Sequence, residues 1–132
     1  RPRREHQGLE GEEIARLRRT LPHDEVFERV RTPLVAYVPD TLPEALDAMP
    51  EGCWAAQVLL VECTFLDDRK PLEKIRQGAH VHLDDLVARL DRFHGGAIVP
   101  FHFSRSYEAG EIPALLEARV PAPWRERVVP FI

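Results

Sequence analysis

The sequence predicts an α/β protein, and three observations carry that expectation. Short apolar, β-rich runs recur at 33–38, 57–61 and 97–101. Between the second and third, Leu83, Leu86, Val87, Leu90 and Phe93 repeat at helical spacing with Asp and Arg between them. The run from Gln57 to Val61 does not alternate apolar with polar residues, which is the pattern of a strand covered on both faces in a parallel sheet. Strands alternating with helices then give the fold class.

Each element can be justified in turn. Gly8 to Arg19 reads as a short amphipathic helix with a thin apolar face of Leu9, Ile14 and Leu17, ended by Leu21-Pro22. Pro33 to Val38 reads as a buried strand stopped by Pro39-Asp40. Leu42 to Met49 fits a short helix. The 57–61 strand ends at Glu62-Cys63-Thr64, and the helix from Leu83 is expected to start on a cap from Asp84 or Asp85 and to stop at His94-Gly95-Gly96. Ala97 to Phe101 is the third strand, Glu111 to Arg119 the last helix, and Arg127 to Ile132 a terminal edge strand, placed at the edge by Pro130.

Composition bounds the function. At 132 residues a single core is expected. Unbroken apolar runs such as Leu34 to Val38 and Val58 to Val61 fall far below the roughly 20 residues of a membrane span. With 18 Lys and Arg against 22 Asp and Glu the formal charge is −4, so the whole molecule has no general attraction to nucleic acid or anionic lipid. Cys53 and Cys63 form no CxxC pair and read as free thiols in a reducing cytoplasm. The chain opens Arg1-Pro2-Arg3-Arg4 without an apolar signal region, so a cytoplasmic location is expected.

The chemistry sits where strands end. Val38 leads through Pro39 into Asp40, Val61 into Glu62, and Phe101 into His102. In open α/β sheets sites collect at the carboxyl ends of strands, so these residues are expected at one edge. His80-Val81-His82 lies just before the helix at Leu83; if extended, its two histidines face opposite ways and only one points inward. An Asp, a Glu and histidines converging there are suited to holding a divalent metal and supplying a general acid. His6, His23 and His94 read as solvated.

The ordered series Leu34 to Thr41, Leu59 to Asp67, Ala79 to Asp85 and Phe101 to Ser104 resembles the motifs of ribonuclease Z-like proteins in the metallo-β-lactamase superfamily. The resemblance implies the C-terminal half of a four-layer αββα sandwich, spanning 1–132, with a two-metal site at one edge. The family's Gly-Asp-Thr motif falls on Pro39-Asp40-Thr41, making Asp40 the carboxylate that bridges two metals. Its Thr-His-Phe-Ser motif falls on Phe101-His102-Phe103-Ser104, making His102 a metal ligand. Its His-Glu-Ala-Thr motif falls on Val61-Glu62-Cys63-Thr64, and the histidine of the following loop on His80. Glu62 would then orient His80 as general acid toward the leaving group of a phosphodiester. Ser104, Arg105 and His82 are the implied substrate contacts. The implied cofactors are two divalent ions, zinc, with manganese or iron suiting the same ligands.

The sequence also departs from the family. Its metal-binding His-x-His-x-Asp-His string is absent; His80-Val81-His82-Leu83-Asp84-Asp85 imitates it, but follows the Glu-Cys-Thr strand and precedes a helix. Asp40 and His102 alone are too few for a tight dinuclear site, so the chain by itself is expected to be inactive. A half-sandwich would leave a sheet face bare, so a partner is expected: the N-terminal half of the fold, or a second copy. Arg105 stands one place earlier than in the family's Ser-x-Arg-Tyr, and no long arm of the kind that grips transfer RNA is evident. Three functions stay open: part of a metal-dependent phosphodiesterase acting on RNA or another ester, a degenerate relative serving as an interaction module, and an anion binder at the helix near Leu83.

Overall fold

The computed structural model describes residues 1–132, which separate into two compact units, Arg1–Arg31 and Thr32–Ile132, with one hydrophobic core cluster, in the second. The first holds a 3-10 turn at Arg4–His6, helix α1 (Gly11–Thr20) and the single turn α2 (His23–Val26). A capping box between Glu10 and Glu13 starts α1, and none of its residues is buried, in keeping with its thin apolar face. An antiparallel bridge between Pro2 and Phe27 closes the unit.

The second unit is built on a three-stranded parallel sheet, ordered β1 (Val35–Val38), β2 (Val58–Glu62) and β3 (Ala97–Phe101). From β1 the chain passes through α3 (Pro43–Asp47) and α4 (Glu51–Trp54) into β2, and then through α5 (Leu72–Gln77) and α6 (Leu83–Val87) into β3. Helix α7 (Ile112–Arg119) follows. No helix is long and apolar enough to cross a membrane.

The register aligns Ala36, Leu59 and Ile98 across one face, and these are buried together with Val61, Leu46, Trp54, Ile75, Leu83, Leu86 and Phe93. The opposite face carries Val35, Tyr37, Val58, Leu60, Ala97, Val99 and Phe101, and it is open: Val35 and Tyr37 are 62% and 63% exposed. The continuous apolar run of β2 therefore reflects one deeply buried and one half-buried face. β1, expected to be buried, is an exposed edge strand whose Tyr37 stacks on Phe101 at 5.4 Å.

Three further expectations are corrected. The stretch 83–93 is not one helix: α6 stops at Val87 and a 3-10 turn spans Leu90–Arg92, where Arg89 binds Asp47 and Arg92 donates to the Leu46 and Asp47 carbonyls and to Glu51. The cap of α6 is His82, whose Nδ1 accepts from the Asp84 N–H, while Asp85 answers by accepting from the His82 N–H. The terminal segment makes only a bridge, Ile98 to Val128, rather than a strand.

The turn into β3 constrains Gly95. His94 donates to Trp54 O and Gly96 to Gln57 O, laying this backbone against the start of β2, so a Cβ at Gly95 would collide with the Ala56 carbonyl and the Phe93 ring. Gly95→Ala should destabilise the protein by about 2 kcal/mol, through overpacking. Gly110→Ala, which meets nothing within 4 Å, should change stability by less than about 0.5 kcal/mol. Urea unfolding midpoints compare the two, and equal midpoints would contradict this packing.

Asp85 also ties α6 to α5, receiving two hydrogen bonds from the Arg76 guanidinium. Partial burial alone would raise its carboxyl, but the Arg76 and His82 donors outweigh it and hold the group below the usual carboxylate range. A depressed folded-state value contributes stability above the unfolded-state titration, near 3.8, that is lost as pH falls through the folded-state one. Asp85→Asn should therefore be less stable than wild type at neutral pH, with the difference narrowing as the medium is acidified below about pH 4. Unfolding free energies across that range test it; a constant gap would contradict the linkage.

Candidate metal centre and its buried support

Parallel strands in register end together, so the residues that follow β1, β2 and β3 share one edge. Asp40, two residues past β1, and His102, directly after β3, meet there: His102 Nδ1 lies 2.9 Å from Asp40 Oδ1. His102 has a left-handed backbone, φ +64°, uncommon outside glycine. His80 joins them from the loop after α5, its ring 5.7 Å from that of His102 and edge-on. One ligand atom each from Asp40, His80 and His102 lies within 4.8 Å of the others, with Asp40 and His102 open to solvent and His80 half-buried. A carboxylate and two imidazoles at this spacing are a donor set that suits zinc and neighbouring divalent ions.

Glu62 stands behind this cluster instead of in it. It is fully buried at the end of β2, and both carboxylate oxygens accept hydrogen bonds. Oε1 takes the Val81 N–H at 2.8 Å and the Thr41 N–H at 3.4 Å; Oε2 takes the Thr64 N–H at 3.1 Å and the Thr64 hydroxyl at 2.9 Å. No Arg or Lys pairs with it, and the nearest ionisable nitrogen is His80 Nδ1 at 3.9 Å. The closer link to His80 runs through Thr64, whose Oγ1 is 3.1 Å from His80 Nδ1. Phe65 packs edge-on against the other side of the His80 region, ring centres 6.3 Å apart.

His80 and His82 do face opposite ways. His82 is buried, with Nδ1 taken by the Asp84 N–H and Nε2 3.0 Å from the Asp67 carbonyl, so its ring serves the loop and has no nitrogen left for a substrate. Asp68, His82 and Asp84 also lie within ligating distance of one another, but Arg119 binds both carboxylates, at 2.8 and 2.7 Å, making this an ion-pair knot. Ser104 anchors the loop after β3 by donating its N–H to Thr64 O, and its hydroxyl accepts from Ser106. Arg105 is exposed. Burial first, and Glu62 second, push the Cys63 thiol well above its ordinary range, which leaves it a poor nucleophile and ligand.

Two features were not legible beforehand. Thr64 stands between Glu62 and His80, a role that its place two residues after a strand-end carboxylate only hints at. Tyr107 fixes the loop after β2, its hydroxyl accepting from Leu66 N–H and donating to Asp67, with the Arg69 guanidinium 3.9 Å over its ring.

No family model matches the chain. Among curated proteins it is similar to tRNase Z TRZ1 of Arabidopsis thaliana, 34% identical over 127 residues, which are 96% of this chain and 44% of the relative. It is also similar to the chloroplastic tRNase Z TRZ2 of the same plant, 27% identical over 105 residues, 79% of this chain and 29% of that one. The chain thus spans less than half the length of the curated relatives it matches. A match that spans 96% of the chain at 34% identity supports a ribonuclease Z-like relationship within the metallo-β-lactamase superfamily.

Proposed function

We propose that this chain supplies one edge of a ribonuclease Z-like, metal-dependent phosphodiesterase site, and that it is the C-terminal portion of an αββα sandwich. The observation that carries the reading is the meeting of Asp40, His80 and His102 at the carboxyl edge of the sheet, backed by buried Glu62. The open sheet face, with Val35, Tyr37 and Phe101 in the outward register, supports a second layer contributed by the rest of the fold or by another copy. The substrate class this suits is RNA, and the two free cysteines fit a reducing compartment such as the cytoplasm.

Asp40 and His102 would hold the ions, two divalent metals by resemblance and zinc by donor chemistry, with manganese or iron accepted by the same groups. Bound there, divalent ions supply Lewis-acid polarisation of a phosphoryl oxygen. His80 gives its Nε2 proton to the departing ribose oxygen, and Glu62 holds the loop that carries it by accepting from Val81 N–H. Ser104 and Arg105, on the loop after β3, are the candidates for contacting the phosphate. The small number of ligating groups on this chain favours, as a second reading, a non-catalytic interaction module.

Measurements on the complete protein separate these readings. Asp40→Ala and His102→Ala should each lower bound zinc, read by elemental analysis, and abolish hydrolysis of an RNA phosphodiester. His80→Ala should keep the metal while turnover falls at least about 100-fold, the scale of general-acid catalysis. Unchanged zinc in His102→Ala would overturn the ligand assignment, and zinc lost from His80→Ala would make His80 a ligand in place of an acid. Absence of both zinc and hydrolysis in the wild-type protein would favour the interaction module.

A further inference from the structure

We propose that Thr64 is a positioning residue that fixes the His80 ring in its Nδ1–H tautomer, so that Nε2 alone is free to exchange a proton or bind a ligand at the site. The inference follows from counting hydrogens around one hydroxyl. Thr64 Oγ1 has two partners, Glu62 Oε2 at 2.9 Å and His80 Nδ1 at 3.1 Å, and one hydrogen to give. Glu62 faces donors on both oxygens: Val81 N–H and Thr41 N–H on Oε1, Thr64 N–H on Oε2. A carboxylate, which only accepts, satisfies all three of these amide hydrogens. The Thr64 hydroxyl hydrogen is therefore committed to Glu62. Toward His80 the same oxygen has only lone pairs to offer, and Nδ1 must carry the hydrogen.

The hydroxyl has little freedom to do otherwise. Thr64 is 6% exposed, its side chain is β-branched and stiff at χ1, and its own N–H binds the same Glu62 oxygen that takes its hydroxyl. The ring is bracketed as well: Val81 N–H, the next amide in the chain, is held on Glu62 Oε1, and Phe65 stands edge-on to the imidazole. One carboxylate thus sets both the backbone that carries His80 and, through Thr64, the nitrogen that keeps the hydrogen.

The consequence for chemistry rests on the function proposed above. An imidazolium that gives its Nε2 hydrogen to a leaving oxygen breaks Nε2–H, forms O–H and keeps the electron pair on Nε2. The neutral ring left behind is the Nδ1–H tautomer, the one Thr64 accepts from. Histidine free in water favours the other tautomer, with hydrogen on Nε2, which leaves no lone pair facing the site. Thr64 therefore selects the form in which the ring is useful, whether as acid or as ligand.

The position of the hydrogen can be read directly, without activity, from long-range 1H–15N correlation spectra of the metal-free full chain at about pH 9, well above the ordinary histidine titration. His80 should show a pyrrole-like Nδ1 and a pyridine-like Nε2; the reverse pattern in the wild-type protein overturns the proposal, and this reading needs no variant to fold. Thr64→Val, which keeps the shape and removes the hydroxyl, should move His80 toward the Nε2–H pattern, and Thr64→Ser should restore it. An unmoved tautomer in a folded Thr64→Val protein also overturns it. In the complete enzyme Thr64→Val should lower kcat by about 10- to 100-fold at unchanged KM and metal content, the scale seen for groups that orient a catalytic ligand, with Thr64→Ser close to wild type. An Nδ1–H ring in a protein that hydrolyses no phosphodiester would uphold the role of Thr64 and overturn the proposed function instead.

Discussion

Taking a carboxylate out of water costs several kcal/mol unless donors replace the lost hydration, and Glu62 is the point where this chain accepts that cost. Its four donors come from three separate segments: Thr41 after β1, Thr64 after β2, and Val81 after α5. No guanidinium or ammonium shares the burden, so the backbone itself must stay in place for the charge to be tolerated. The segments gathered in this way carry Asp40 and His80, and Thr64 O in turn receives the Ser104 N–H of the loop that follows His102. The buried charge therefore specifies the geometry of an edge whose working residues are largely exposed.

The sheet imposes a second constraint. Three parallel strands in register deliver their carboxyl ends together, but with helices on one face alone they leave Val35, Tyr37, Leu60, Val99 and Phe101 toward the other. The apolar core therefore lies on the helical side, where Trp54, Leu59, Ile75, Leu83 and Ile98 are shut away from water. The site joins a buried group to exposed ones: Glu62 is sealed from solvent while Asp40 is 74% exposed on its side chain. Rigidity comes from the buried carboxylate and access from the exposed residues it gathers.

Much of this was legible because parallel strands obey simple rules. Apolar runs of four or five residues that stop abruptly at Asp40, Glu62 and His102 betray both the strands and the edge they share. What the pattern did not reveal was decided by tertiary contacts. β1 reads as buried because Val35, Ala36, Tyr37 and Val38 are all apolar, yet its place at the sheet edge leaves two of them bare. The stretch 83–93 has helical periodicity throughout, yet Arg89 and Arg92 turn to partners some forty residues away and the helix stops short. The resemblance implies His82 as a substrate contact and the spacing offers Asp84 or Asp85 as the cap, yet both His82 ring nitrogens are taken within its own loop. Thr64 gave no sign of its role because a single hydroxyl acquires one only when its neighbours leave it one hydrogen and two partners.

The two histidines of the site are each carried by strained backbone, and the way that strain is held explains why they sit so close. Ala79, just before His80, has φ +56°, and His102 itself has φ +64°. A left-handed conformation costs an ordinary residue roughly 1–2 kcal/mol and persists only where its surroundings over-determine it. Here each is bracketed. Ala79 N–H binds Arg76 O before the turn, and Val81 N–H binds Glu62 after it. Phe101 O receives Cys63 N–H before His102, and Ser104 N–H binds Thr64 O after it. All the later anchors lie on the segment from Glu62 to Thr64 that ends β2. One strand end thus pins both kinks, and the two imidazoles are brought face to edge because their backbones are fastened to the same three residues.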